Sequence, residues 1–242
     1  MPDFSLDQLR ALLEPLADPA DREQQNRYFR GAVSWHGIRK PALDAFFRSC
    51  YRERLDAIPF DRQLELALEF LAADFAEEKL FGLALLHKHR RRLTPAWLTV
   101  LQPVAALYVH DWGTADTLAS RVFGDLVRDD DAWAVAWSAL RNSESLWLQR
   151  CACVGFLKAA RKQRHHDLIF TIVADVIRNP ARFAQLGAGW LLRDAFRSWP
   201  EDTAAFLRCH YACFSREALR YAIEARPEME RKAWLRNVAV SS

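Results

Sequence analysis

Glycine is scarce in this chain: eight residues of 242. No stretch is rich in Gly, Ser or Pro, so neither a flexible linker nor a disordered arm is expected. There is no Gly-rich phosphate loop and no Gly-x-Ser-x-Gly elbow. Their absence removes the common nucleotide-binding and hydrolase classes. Five cysteines are an odd number and do not suit a disulfide framework. They are read as reduced thiols, which places the protein in the cytoplasm. Cys209 and Cys213 stand four apart around His210, and Cys151 and Cys153 share another predicted helix. No Cys-x-x-Cys pair completes a zinc spacing, and His165-His166 lacks the frame of a zinc protease. Buried thiols are therefore expected, with no metal and no cofactor. Apolar runs are broken by charge before the ~18 residues a membrane span needs. The opening Met-Pro-Asp-Phe-Ser has an acid and no basic region, so no secretory signal is expected.

What is present is apolar and aromatic. Hydrophobic residues make up 51% and charged residues 27%, enough for a large core in a water-facing protein. Tryptophan occurs nine times. The net charge of +3 and pI near 8.7 are compatible with nucleic acid without pointing to it.

Helix signals recur along the whole chain, and strand signals are nearly missing. Ser5-Leu-Asp-Gln8 reads as a capping box. Asp18-Pro19 and Thr94-Pro95 read as caps with Pro just inside the helix. A helix is expected through Arg27–Arg30, another at 76–89, and one from Trp112 to about Arg128. Asp129–Asp131 places negative charge where a helix start favours it. The run Leu168–Ile177 is rich in β-branched residues, but its length favours helix over strand. Helix pairs recurring at roughly 35–45 residues match HEAT-like arrays. A single all-α domain spanning 1–242 is expected. A solenoid of this kind curves to give an extended concave face suited to a long partner.

Trp112 and Asp116 remain, either as residues with chemistry to offer or as a core Trp beside an exposed helix Asp. Their i, i+4 spacing puts an indole and a carboxylate on one helix face, a pairing suited to a cationic group. Two basic clusters follow helix ends: Lys88–Arg92, including Arg90, and Lys158–His166, including Arg161. They read either as solvated helix caps or as phosphate contacts.

Three stretches, Trp112-Gly-Thr-Ala-Asp116, Trp147-Leu-Gln-Arg150 and Gln185-Leu-Gly-Ala-Gly-Trp190-Leu-Leu-Arg193, resemble signatures of the AlkD family of DNA glycosylases. Tyr28 and the Ser215–Arg220 helix fit the same resemblance, which runs from about residue 20 to 225. It implies an α-solenoid of HEAT-like repeats with a concave DNA-binding face. The implied activity is hydrolysis of the N-glycosidic bond of cationic N3- and N7-alkylated purines in double-stranded DNA. By resemblance, Asp116 is the catalytic carboxylate, and Trp112 and Trp190 are aromatic walls beside the sugar. Arg150 holds the neighbouring phosphate, and Tyr28 joins the aromatic cleft. Arg193, Arg90 and Arg161 are further candidate DNA contacts. No lysine stands at these positions, so no Schiff-base lyase step is expected. A monomer is expected, since a solenoid that wraps a duplex needs no second copy. Three positions depart from the family pattern: Asp111 stands where a second Trp is common, Gly113 where an acid is, and Leu186-Gly187 where a basic residue is. A non-catalytic protein that binds damaged or branched DNA, and a HEAT-type protein scaffold, are the competing readings.

Overall fold

The computed structural model describes residues 4–236. Among them every regular element is helical, and the only β feature is an isolated bridge between Ser34 and Phe75. No described helix is long and apolar enough to cross a membrane. The chain packs as two compact units. One holds the residues up to Leu93 together with Thr99–Thr117, and the other holds Thr94–Leu98 and the chain from Leu118 onward.

The first unit contains α1 (Leu6–Leu13), α2 (Pro19–Tyr28), α3 (Lys40–Cys50), α4 (Phe60–Leu71), α5 (Ala76–His89), most of α6 (Leu98–Tyr108) and α7 (Trp112–Asp116). The expected caps on α1 and α2 are in place. Ser5 and Gln8 form a reciprocal capping box, and Asp18 accepts from the N–H groups of Ala20 and Asp21. Thr94 does not cap with its side chain. The chain starts there with a 3-10 turn, Pro95–Trp97, closed by the Trp97 N–H on the Thr94 carbonyl at 2.9 Å. α2 stops at Tyr28 instead of running on through Arg30. Gly31 donates to the Asn26 carbonyl and Arg30 to that of Arg27, with Arg30 at φ +52°. This is a Schellman closure with an arginine where glycine is usual.

Three consecutive ionisable side chains at the start of α5 are buried: Glu77, Glu78 and Lys79. Glu77 accepts from the backbone N–H groups of His36, Gly37 and Ile38 at 2.9, 3.0 and 2.9 Å. It thereby fixes the loop that leads into α3. Glu78 receives the Arg10 guanidinium at 2.7 Å, the His36 ring at 3.1 Å and the Phe75 N–H at 3.3 Å. Lys79 donates to the carbonyls of Leu71 at 3.0 Å and Tyr108 at 2.9 Å. Buried charges survive only when matched in this way.

The second unit contains α8 (Gly124–Asp129), α9 (Asp131–Ser138), α10 (Leu146–Gly155), α11 (Leu157–Arg161), α12 (His166–Val176), α13 (Arg182–Ser198), α14 (Pro200–Cys209), α15 (Arg216–Ala222) and α16 (Glu228–Leu235). α13 is its spine and packs against α10 and α15. The β-branched run is helix α12, as its length favoured. Ile169, Ile172, Val173 and Val176 are buried at helical spacing, and that one-sided burial outweighs the strand preference of its residues. The expectation of buried thiols holds for Cys50, Cys151 and Cys153. It fails for Cys209 and Cys213, which are exposed where α14 ends and a 3-10 turn, Tyr211–Cys213, takes over. The helix end turns both away from the core.

Burial alone would raise the Glu78 pKa, but the hydrogen bonds from His36, Arg10 and the Phe75 amide overcome it and hold the carboxyl at about 2. A depressed carboxylate stabilises the fold fully above its unfolded value of about 4.3. That contribution drains away as pH falls through about 2. Glu78→Gln should therefore lower the unfolding free energy at pH 7 by about 2–3 kcal/mol, less than a fully buried pair because Arg10 is partly exposed. The gap from wild type, read by denaturant unfolding, should narrow between pH 5 and pH 2.

Candidate functional site

In the first unit the candidate site begins with the cap of α7. Asp111 is buried, and its Oδ1 accepts from the Thr114 N–H at 2.8 Å. Asp111 thus starts the helix that carries Trp112 and Asp116. Burial pushes the Lys79 ammonium below its ordinary pKa, and the nearby Asp111, Asp74 and Glu78 carboxylates draw it back up. Lys79 thereby meets the chain on both sides of the turn before α7, through the Tyr108 carbonyl and the Asp111 charge. Asp116 is half-buried at the last residue of α7. A π-helical stretch, Thr117–Phe123, follows directly, so the regular hydrogen-bond ladder is interrupted beside the carboxylate. Such interruptions are frequent at functional sites.

Trp112 is embedded in aromatic rings. Phe29 stacks on it at 4.6 Å and 17°, and Tyr28 meets it edge-on at 5.5 Å. Phe29 in turn lies 4.8 Å from Trp35, which belongs to a buried cluster with Val33 and Ala76. The glycine at 113 is explained here. A Cβ on Gly113 would fall 3.1 Å from Phe29 Cε1 and 3.1 Å from Asp111 Oδ1. The two departures Asp111 and Gly113 are thus matched to this chain: one caps α7 and the other makes room for the ring that stacks on Trp112. Tyr28 remains 67% exposed, able to meet a ligand with the ring surface Trp112 leaves uncovered.

In the second unit, Arg150 sits on α10 at only 5% exposure. Its Nη1 donates to the Phe183 carbonyl at 3.1 Å. The Trp147 ring stacks on Phe183 at 5.0 Å. The α13 backbone comes so near that a Cβ on Gly187 would lie 3.2 Å from Arg150 Cγ. A side chain at 187 would require Arg150 to give by a few tenths of an ångström. Gln185 is buried and ties the loop before α13 to the turn before α15. Its amide donates to the carbonyls of Ile177, Asn179 and Cys213, and its carbonyl accepts from the Ser215 N–H at 2.9 Å. Trp190 is half-buried beside Tyr221 at 6.1 Å, and its Nε1 is buried without a hydrogen-bond partner. Arg193 lies over both rings, 5.7 Å from Trp190 and 5.0 Å from Tyr221, while its Nη1 donates to Glu224 at 2.6 Å.

The basic clusters are more structural than their sequence suggests. Arg90 donates to the His87 carbonyl at 2.7 Å, Lys88 lies over Tyr51 and Arg92 over Phe60. Arg161 is held by the buried carboxylate of Asp194 at 2.6 Å. Lys158 pairs with Asp125 and Arg164 with Asp131, each at 3.0 Å. A phosphate at Arg161 would have to share the guanidinium with Asp194. Among the described residues no group of three His, Cys, Asp or Glu side chains is placed to hold a metal ion. Sequence reasoning passed over Phe29 and Trp35. Their signal was faint: two aromatics in the segment before Gly37, with nothing local to pair them with Trp112.

Comparison with known proteins adds to this geometry. A family model described as DNA alkylation repair enzyme matches residues 9–225. Among curated proteins no sequence matches the chain. A solved structure described as "Predicted DNA alkylation repair enzyme from Enterococcus faecalis" superposes with a TM-score of 0.72 at 16% identity, covering 88% of this chain and 97% of that one. At that identity the likeness shows a shared fold, which is an all-α helical-repeat fold.

The spine helix offers a direct check on the packing around Trp190. A Cβ on Gly189 would lie 2.6 Å from the Ala218 backbone oxygen, so α15 would have to move. Gly189→Ala should cost about 1–3 kcal/mol by overpacking, despite the better helix propensity of alanine. Thermal unfolding followed by circular dichroism would read it, and an unchanged midpoint would mean that α15 yields freely.

Proposed function

The chain belongs to the DNA alkylation repair enzyme family, and from that premise we propose that it is a monofunctional DNA glycosylase acting on cationic N3- and N7-alkylated purines in duplex DNA. The observation that carries this reading is Asp116, a half-buried carboxylate one helical turn beyond an indole that Phe29 and Tyr28 hold in place.

The chemistry follows from the lesion. Alkylation at N3 or N7 puts a positive charge on the purine, so the base leaves readily. Cleavage of the C1′–N bond builds oxocarbenium character on the deoxyribose, as in glycoside hydrolysis. The Asp116 carboxylate stabilises that cation and orients the attacking water. The exposed part of the Trp112 ring system attracts the same charge through its quadrupole, worth ~0.5–2 kcal/mol. The reaction asks for neither a metal nor an organic cofactor. In the second unit, Arg150 is the proposed phosphate contact, carried on α10 with its Nη1 donating to the Phe183 carbonyl. Trp190 is the proposed second aromatic wall, with Tyr28, Arg193 and Arg90 as further DNA contacts. Arg161 is the weakest of the set, since Asp194 already holds it. We take the protein to act as a monomer in the cytoplasm.

The decisive assay is release of free 7-methylguanine and 3-methyladenine from methylated duplex, wild type beside Asp116→Asn. Wild type should release both, and the variant should be slower by roughly 10²-fold, the low end for a general base because the leaving group is already activated. Equal release by the two proteins would remove Asp116 from the chemistry. No release by wild type, with tight salt-sensitive duplex binding, would leave a non-catalytic DNA-binding protein.

A further inference from the structure

We propose that Phe29 is a positioning residue for Trp112: it locks the indole in one orientation and thereby sets how the reacting sugar is presented to Asp116. The inference rests on the glycosylase reading above for its consequence, and on geometry alone for its mechanism.

Trp35 is nearly buried with Val33 and Ala76, and the Ala76 N–H on the Ser34 carbonyl at 2.8 Å ties this segment to the start of α5. Trp35 therefore stands on a fixed base. Phe29 leans on Trp35 at 4.8 Å and 35°, and lies nearly parallel to Trp112 at 4.6 Å. The result is a three-ring column with Phe29 in the middle. Tyr28 closes the edge of the same group, T-shaped to Phe29 at 5.3 Å and to Trp112 at 5.5 Å.

A half-buried indole on a five-residue helix has little else to choose its side-chain torsions. A flat ring stacked on one face removes the alternatives and leaves the uncovered part of the half-buried indole to meet a ligand. Gly113 is the matching feature. Glycine weakens a helix relative to alanine, yet here the space beside its α-carbon is taken by the edge of the Phe29 ring. Phe29 itself follows the last residue of α2, and the left-handed Arg30 and Gly31 turn the chain away directly after it. The backbone is bent at the point where the ring must face Trp112.

The test separates a flat plate from a generic apolar filler. Phe29→Leu stays apolar at a smaller volume and loses the plane, while Phe29→Tyr keeps the plane. The proteins are labelled with fluorotryptophan, and the Trp112 resonance is assigned by its loss in Trp112→Phe. Excision of 7-methylguanine is measured on the same set. The expected result is a melting temperature for Phe29→Leu near that of wild type, with a Trp112 line that broadens or splits. Its kcat falls roughly tenfold, short of the ~10²-fold of a 1 Å misplacement, with binding to undamaged duplex unchanged. Phe29→Tyr restores both the line and the rate. A Trp112 line in the Leu variant as sharp and single as in wild type overturns the proposal, and so does a broadened line with full excision. If wild type releases no base, the glycosylase reading fails, and the line shape still decides whether Phe29 holds Trp112.

Discussion

Everything around the candidate carboxylate depends on three adjacent buried charges, Glu77, Glu78 and Lys79. Isolated in an apolar interior, each would be costly; matched, each becomes a fixed point from which a different segment hangs. Glu77 collects three consecutive backbone N–H groups of the loop before α3. Glu78 draws in α1 through Arg10. Lys79 reaches the carbonyl of Tyr108, immediately before the turn into α7. Hydrophobic packing would gather these segments without specifying their register. The charges specify it, because a hydrogen bond tolerates only a few tenths of an ångström.

From that anchor the order passes to aromatic rings. The loop held by Glu77 carries Trp35 on its way to His36, and Trp35 supports Phe29, which supports Trp112. Ring-on-ring contact transmits position well, since planes 17° apart cannot rotate independently. A small residue at 113 and a carboxylate at 111 complete the arrangement. Both look like losses from the family pattern when read singly. In three dimensions they are one local solution: a cap for α7 and a space for Phe29.

The second unit uses backbone proximity for the same purpose. Gly187 and Gly189 let α13 approach Arg150 on one side and Ala218 on the other. Close approach leaves the neighbours little room to adjust, so Trp190 on α13 and Trp147 and Arg150 on α10 are held in closely packed helices. Gln185, bonded to the loop before α13 and to the turn before α15, locks the start of that helix.

Helix class, most helix starts and the Trp112–Asp116 pair were all legible in the chain, because caps and apolar periodicity act over three or four residues. Ser5, Asp18, Asp130 and Ser215 do cap as their residue types demand. Even the β-branched α12 could be read from its length. The tertiary structure alone decided which charges are occupied and which rings meet. Arg161 looks like a free cation until Asp194, on another helix, is seen to hold it. Phe29 looks like one more apolar residue until the chain folds back and lays it on Trp112, more than eighty residues away. Local rules determine what a segment becomes. Pairings across long stretches of chain depend on packing, and no spacing in the sequence records them.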